Sequence, residues 1–273
     1  MRSLPRVLAG VTMLAFLASG TALAGGAKRV SEDPFTNPDS QHATQVEPDT
    51  FAFGKTVVSA FQTGRFVNDG GSSDIGFATS QDRGKTWVKG FLPSLTANST
   101  PPGPYPRVSD PAVAYDAKHD TWQIISLGLG GGAGTGVVVS RSADGGLTWS
   151  APVTVGATTG FYDKTWIACD NTKTSGHYGN CYATWDDASD GGLLLTSTSS
   201  DGGETWGAPK ATADNAAGIG GQPLPQPSGD VVVPVLSAFV EHILAYKSTD
   251  GGTSWGASSV VADISDHDIA GKL

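Results

Sequence analysis

The sequence predicts an all-β chain folded as a β-propeller, a ring of four-stranded antiparallel sheets about an axis, and three observations predict it. The composition favours turns: 37 Gly and 16 Pro in 273 residues, with 16% charged, leave little material for amphipathic helices. A pattern of eight residues, S-x-D-x-G-x-T-W, recurs four times. Short apolar and β-branched runs, separated by Asp, Gly and Ser clusters, precede the copies as strands precede turns.

At the N-terminus, Arg2 and Arg6 precede the apolar run Val7 to Leu17, and Ala22, Leu23 and Ala24 form an A-x-A site. This is the grammar of a signal peptide, so residues 1–24 are expected to be cleaved after Ala24 and the mature chain to be secreted and extracellular. The apolar run is shorter than the roughly 20 residues of a membrane helix, and no later run approaches that length. Residues 25–43 are expected to be a flexible lead-in and 44–264 to hold the blades.

The repeats match position for position. Ser80, Asp82, Gly84, Thr86 and Trp87 correspond to Ser142, Asp144, Gly146, Thr148 and Trp149, then to Ser199, Asp201, Gly203, Thr205 and Trp206, and finally to Ser248, Asp250, Gly252, Ser254 and Trp255. The aspartates stand 62, 57 and 49 residues apart, about the length of one four-stranded sheet with its loops. The second unit shows its strands as Ala112–Tyr115, Trp122–Ser126, Gly136–Arg141 and Val153–Val155. Thr56–Phe61, Leu193–Ser197, Val231–Leu236 and Ile243–Lys247 are comparable, which puts every repeat after a third strand. The repeat chemistry is that of a turn: the Asp carboxylate accepts from backbone N–H groups a few residues on, and the residues after it need positive φ. The Trp at the exit is expected to fold back into the core. A motif stamped once per sheet serves the fold, because its copies cannot all reach one catalytic site.

These repeats resemble the Asp-box (BNR) repeats of the sialidase-like propeller family, which includes secreted bacterial exo-α-sialidases, over roughly Val46 to Ala262. The resemblance implies a six-bladed ring. Four repeats are visible, and Ser265, Asp266 and His267 are similar to Ser109, Asp110 and Pro111. Residues 265–273 are therefore read as the start of a truncated fifth blade of an incomplete ring; a closed four-bladed ring is the alternative.

In a propeller the segments entering the innermost strands form the mouth of a channel. Here they are Glu47–Asp49, Arg107–Asp110, Tyr162–Lys164 and Gly220–Gln222, so Arg107, Asp110, Tyr162 and Lys164 are expected to bind substrate and Asp163 to act in catalysis. Capping of the strands by Asp110 and Asp163 is the competing role. The resemblance further implies a retaining glycosidase with a Tyr nucleophile, an Asp acid and three arginines that clamp a substrate carboxylate. Arg65 stands where one clamp arginine would precede the first repeat, with Asp69 as the acid and Asp74 as its substitute; a solvated hairpin turn is the plain alternative. Val46 occupies the position of the arginine that opens the family's R-I-P motif, a departure that counts against sialidase activity.

The remaining chemistry narrows the choice. Cys169 and Cys181 are expected to form a disulfide in an exported chain. Trp166 and Trp185 belong to the core or to a sugar-stacking cleft, and Asp186, Asp187 and Asp190 lack calcium-loop spacing. Five histidines show no zinc spacing, and neither Gly-Lys-Thr stretch is a phosphate loop, so no metal and no cofactor is expected. A net charge of −9 without a basic stripe argues against nucleic acid. Two functions follow: a secreted sialidase-like glycoside hydrolase acting on terminal sugars of glycans, and a non-catalytic propeller that binds glycan or protein.

Overall fold

Each S-x-D-x-G-x-T-W segment closes the turn after the third strand of a sheet, and the four sheets follow one another in chain order in a computed structural model that describes residues 27–130 and 135–265. The expected signal peptide and the Asp266–His267 end of the expected fifth blade lie outside the described residues. Blade I comprises β1 (Gln45–Phe53), β2 (Thr56–Arg65), β3 (Ser72–Ser80) and β4 (Val88–Phe91). Blade II comprises β5 (Arg107–Asp116), β6 (Thr121–Leu129), β7 (Thr135–Ser142) and β8 (Val153–Thr158). Blade III comprises β9 (Tyr162–Cys169), β10 (Cys181–Asp187), β11 (Leu193–Ser199) and β12 (Lys210–Ala211). In blade IV the innermost strand is broken into β13 (Gly218–Ile219) and β14 (Leu224–Pro225), both paired with β15 (Val231–Ser237), which is followed by β16 (His242–Ser248) and β17 (Ser259–Asp263). The break follows from Gly220, Gly221 and Pro223, since glycine adds no packing and proline cannot donate to the ladder. All pairings between these strands are antiparallel, and a single pair, Ser72 with Val108, joins the sheets of blades I and II.

The four turns have the same hydrogen bonds. The Ser hydroxyl donates to the Asp carboxylate at 2.7–2.8 Å and accepts the N–H two residues beyond that Asp at 2.7–2.9 Å. The Thr or Ser four residues after the Asp donates its backbone N–H and hydroxyl to the same carboxylate. These donors hold the Asp82 and Asp250 carboxyls below the usual range, and they outweigh an opposing burial effect at Asp144 and Asp201. The residues at the bend are left-handed in every copy: Arg83 and Gly84, then Gly145 and Gly146, Gly202 and Gly203, and Gly251 and Gly252. Only the first copy has a side chain there, so only Arg83 bears the Cβ strain of that region.

The turns also join the blades. The residue just before the Ser of each of the first three repeats donates a side-chain hydrogen bond to a carbonyl in the next blade's turn: Thr79 to Gly146 O (2.6 Å), Arg141 to Gly202 O (2.7 Å) and Thr198 to Gly252 O (3.5 Å). Between blades I and II the core packs Val58, Ile75, Tyr115 and Trp122; between II and III, Ile125, Val137, Ile167 and Trp185; between III and IV, Tyr182, Val233 and Tyr246. Trp149 and Trp255 fold back into these layers as expected, each against the preceding blade. Trp206 is only partly buried, and so is Trp87, whose Nε1 donates to Gly84 O (3.0 Å); blade I has no preceding blade among the described residues.

Cys169 and Cys181 are bonded and sit opposite one another on β9 and β10. The segment expected as a flexible lead-in lies along blade I. Phe35 packs edge-on against Phe91 at 4.9 Å, Glu32 pairs with Lys89 at 2.8 Å, and Asn37 accepts from Ser73 at 3.0 Å.

Candidate functional site

The innermost segments of all four blades line one cavity of about 370 Å³: Asp49 and Phe51 from β1, Val113 from β5, Trp166 from β9 and Leu224 just beyond the glycine break. Four segments distant in sequence share this wall because the sheets stand around a common channel.

Each innermost strand is interrupted at an equivalent place by one left-handed residue. These are Glu47, Asp110, Lys164 and Gly220, with φ of 50°, 48°, 39° and 74°. The ladder slips at the same points, between Val46 and Asp49, between Ser109 and Ala112, and opposite Thr184 and Asp186. Such a bulge re-aims the side chain it carries. Three of the four are not glycine, and holding a side chain in that region costs on the order of 1–3 kcal/mol each, a cost that clusters at functional sites. The result is a mouth of about 350 Å³ lined by Glu47, Asp110, Asp163 and Lys164, with Arg65 and Asp69 from the β2–β3 hairpin.

The polar groups of the mouth hold one another. Lys164 Nζ donates to Asp110 Oδ1 (3.3 Å) and lies 3.8 Å from Glu47 Oε2. Gln62, buried on β2, donates to Glu47 Oε2 (2.6 Å) and Ser109 Oγ (3.1 Å), and Ser109 donates to Asp110 Oδ1 (3.3 Å). Thr165 donates to the Asp110 carbonyl (2.7 Å), and the Lys164 N–H to Asp163 Oδ1 (2.8 Å).

Burial sets the protonation. Asp110 is 7% exposed, and burial together with the neighbouring Glu47 carboxyl pushes it up to about 6 despite Lys164. Asp163 is raised by burial and by the Asp110 charge. Behind them Asp186, the cross-strand partner of Asp163, is pushed up to about 7 by burial and by the charges of Asp163 and Asp110. Burial would lower Lys164, but Asp110, Glu47 and Asp163 outweigh it, so Lys164 is raised and stays a cation. The arrangement can therefore supply a proton from Asp110 below about pH 6, a second carboxylate nearby, and fixed donors for hydroxyl or anionic groups.

Arg65, Asp69, Asp110, Asp163 and Lys164 are thus brought together at one mouth. Three other expected residues are placed elsewhere. Asp74 is fully buried in β3, where it accepts from Ser99 Oγ (2.8 Å) and its neighbour Ile75 N–H (2.9 Å), so it has no opening through which to protonate a ligand. Tyr162 turns into the core against Trp185, because alternation along β9 sends it to the face opposite Asp163. Arg107 donates to Asn68 O (3.0 Å) and Gly70 O (3.1 Å) with its guanidinium over the Phe66 ring, so it anchors the hairpin that carries Asp69 rather than reaching into the mouth. Trp185 is core, whereas Trp166 lines the channel. Among the described residues no cluster of three or more His, Cys, Asp or Glu could hold a metal ion. Glu47 was placed at the mouth with its entry segment but given no role, and Gln62, Phe161 and Ile219 are mouth residues that sequence reasoning did not single out. The shared acidic-Pro pairs Glu47–Pro48 and Asp110–Pro111 are the signal that could have marked Glu47.

No protein-family model matches the sequence, and no curated protein matches it. Solved structures do match in fold. The intramolecular trans-sialidase from Ruminococcus gnavus, in complex with oseltamivir carboxylate, matches with a TM-score of 0.61 at 15% identity, over 82% of this chain and 71% of its own. The Hadza microbial sialidase Hz136 matches with 0.56 at 19% identity, over 76% of this chain and 45% of its own, so the chain spans less than half of that protein. The catalytic domain of the Coprinopsis cinerea GH62 α-L-arabinofuranosidase matches with 0.50 at 15% identity, over 85% and 72%. The chain has the fold of the sialidase-like β-propellers; at these identities the likeness extends to fold alone.

Proposed function

We propose that the protein is an exported, sialidase-like glycoside hydrolase that acts on terminal sugars of glycans at the channel mouth. One observation carries this reading: a carboxyl pushed up to about 6, Asp110, shares a pocket of about 350 Å³ with Asp69, Asp163 and a guanidinium, Arg65. Glycosidic cleavage needs a carboxylic acid still protonated near the working pH and a second carboxylate close by. Asp110 protonates the leaving oxygen, Asp69 or Asp163 is the facing carboxylate, and Arg65 takes an anionic group of the sugar. The sialidase and arabinofuranosidase neighbours, glycan enzymes by name, support the class, and the Cys169–Cys181 bond supports export.

A glycan-binding propeller without turnover is the second reading. Val46 in place of the family's first arginine favours it, as does the use of Arg107 as a hairpin anchor.

The test is hydrolysis of a fluorogenic sialoside and a panel of other glycosides by the full chain, Asp110→Asn, Asp69→Asn and Arg65→Ala. Because Asp110 must be protonated to act, kcat/KM is expected to fall as pH rises through about 6, and Asp110→Asn to remove turnover. Glycan binding with no turnover of any panel member would leave the second reading standing.

A further inference from the structure

The mouth has an apolar side that proton transfer does not use. Phe161 and Ile219 line it beside Asp163 and Lys164, and both are exposed, 45% and 38%. An aromatic ring left this open on a loop is normally mobile, but Phe161 stands on a clamped backbone. Its N–H donates to Ser189 Oγ (3.2 Å), and its carbonyl accepts the Ala188 N–H (2.8 Å). Ser189 is itself held by Asp187, which accepts its N–H at 3.0 Å. Gly160 permits the approach, since a Cβ there would collide with the Ser189 side chain. The base of the ring is therefore built, while the exposed ring itself lines the cavity.

Within four consecutive residues the chain turns Tyr162 into the core and brings an aromatic ring, a carboxylate and an ammonium to one space. A pyranose has the matching chemistry, with an apolar C–H face and hydroxyls around its edge. An alkyl chain would match the ring but would displace water from the Asp163 carboxylate and the Lys164 ammonium without offering either a hydrogen bond.

We propose that Phe161 is a stacking platform for a second sugar ring, on the leaving-group side of the glycan, so that the ligand of this mouth is an oligosaccharide. The proposal rests on the glycan reading of the mouth.

The experiment pairs oligosaccharides, 3′-sialyllactose among them, with the matching glycosyl fluorides, which carry no leaving-group ring. Calorimetric binding and steady-state kinetics are measured on the full chain, Phe161→Ala and Phe161→Trp. Phe161→Ala is expected to weaken oligosaccharide binding and raise its KM about tenfold, to leave kcat/KM on the fluorides within about twofold, and to be rescued by Phe161→Trp. Equal losses on both kinds of probe, or no loss on either, overturn the platform and leave hydrolysis intact. Oligosaccharide binding that depends on Phe161 without turnover keeps the platform and removes the hydrolase. Neither binding nor turnover of any member overturns both.

Discussion

Asp74 and Asp110 are both aspartates kept from water, and they differ in what lies beyond the carboxyl. Asp110 opens onto the mouth beside Lys164, whereas Asp74 faces only Ser99 and the backbone and is pushed up to about 8, chiefly by burial. The folded protein thus holds the Asp74 proton more tightly than the unfolded chain, whose carboxyl keeps the ordinary value of 3.8. That stabilisation is complete below the ordinary value and is lost as pH rises through about 8. A Tm measured from pH 5 to 9 is expected to fall with rising pH, and less steeply in Asp74→Asn; identical slopes would show that the buried carboxyl is not the cause. Sequence reading brought Asp110 forward as part of a segment entering an innermost strand, and Asp74 through the family resemblance, as the substitute acid before the first repeat. What separates them is the loop 92–106, which closes over β3 and shuts Asp74 off from any opening, and no local pattern announces it.

At the scale of elements, the repeated turn is held from its Ser as much as from its Asp. Ser80, Ser142, Ser199 and Ser248 are each 1–2% exposed and accept a glycine N–H that is half-buried in the first copy and buried in the other three, whereas the Thr or Ser gripping the carboxylate is exposed. Ser199→Ala leaves the Gly203 N–H buried without an acceptor and is expected to lower unfolding stability by about 1–3 kcal/mol. Thr205→Ala, whose donors return to water, is expected to cost under about 1 kcal/mol; denaturant midpoints compare the two. The strand order and the four turns were legible because a repeat declares its own period. The four bulges were not, since Glu47–Pro48, Asp110–Pro111, Lys164–Thr165 and Gly220–Gly221 share a backbone conformation and little chemistry. Arg107 shows the same limit: the charge was legible, but its carbonyl partners on the hairpin come together only in the fold.

Across the whole molecule, position around the axis decides what each blade contributes. Blades I to III supply the charged side chains of the mouth, and blade IV, with glycine at the bulge, supplies the apolar Ile219 instead. One side of the mouth is therefore polar and the other suited to the apolar face of a sugar. The propeller class and the end of the ring that bears the site follow from repeat and strand order. Which side chains meet there follows from alternation and bulge geometry, and that is why Tyr162 and Asp74 drop out while Glu47 and Phe161 enter. The most direct measurement is a crystal of Asp110→Asn protein, which should retain an uncleaved ligand, soaked with a bound oligosaccharide. The expected result is a sugar seated in the mouth, with its glycosidic oxygen within hydrogen-bond distance of residue 110 and its hydroxyls on Lys164. A sugar bound on another face, or an empty mouth at saturating concentration, would contradict the assignment of this pocket as the glycan site.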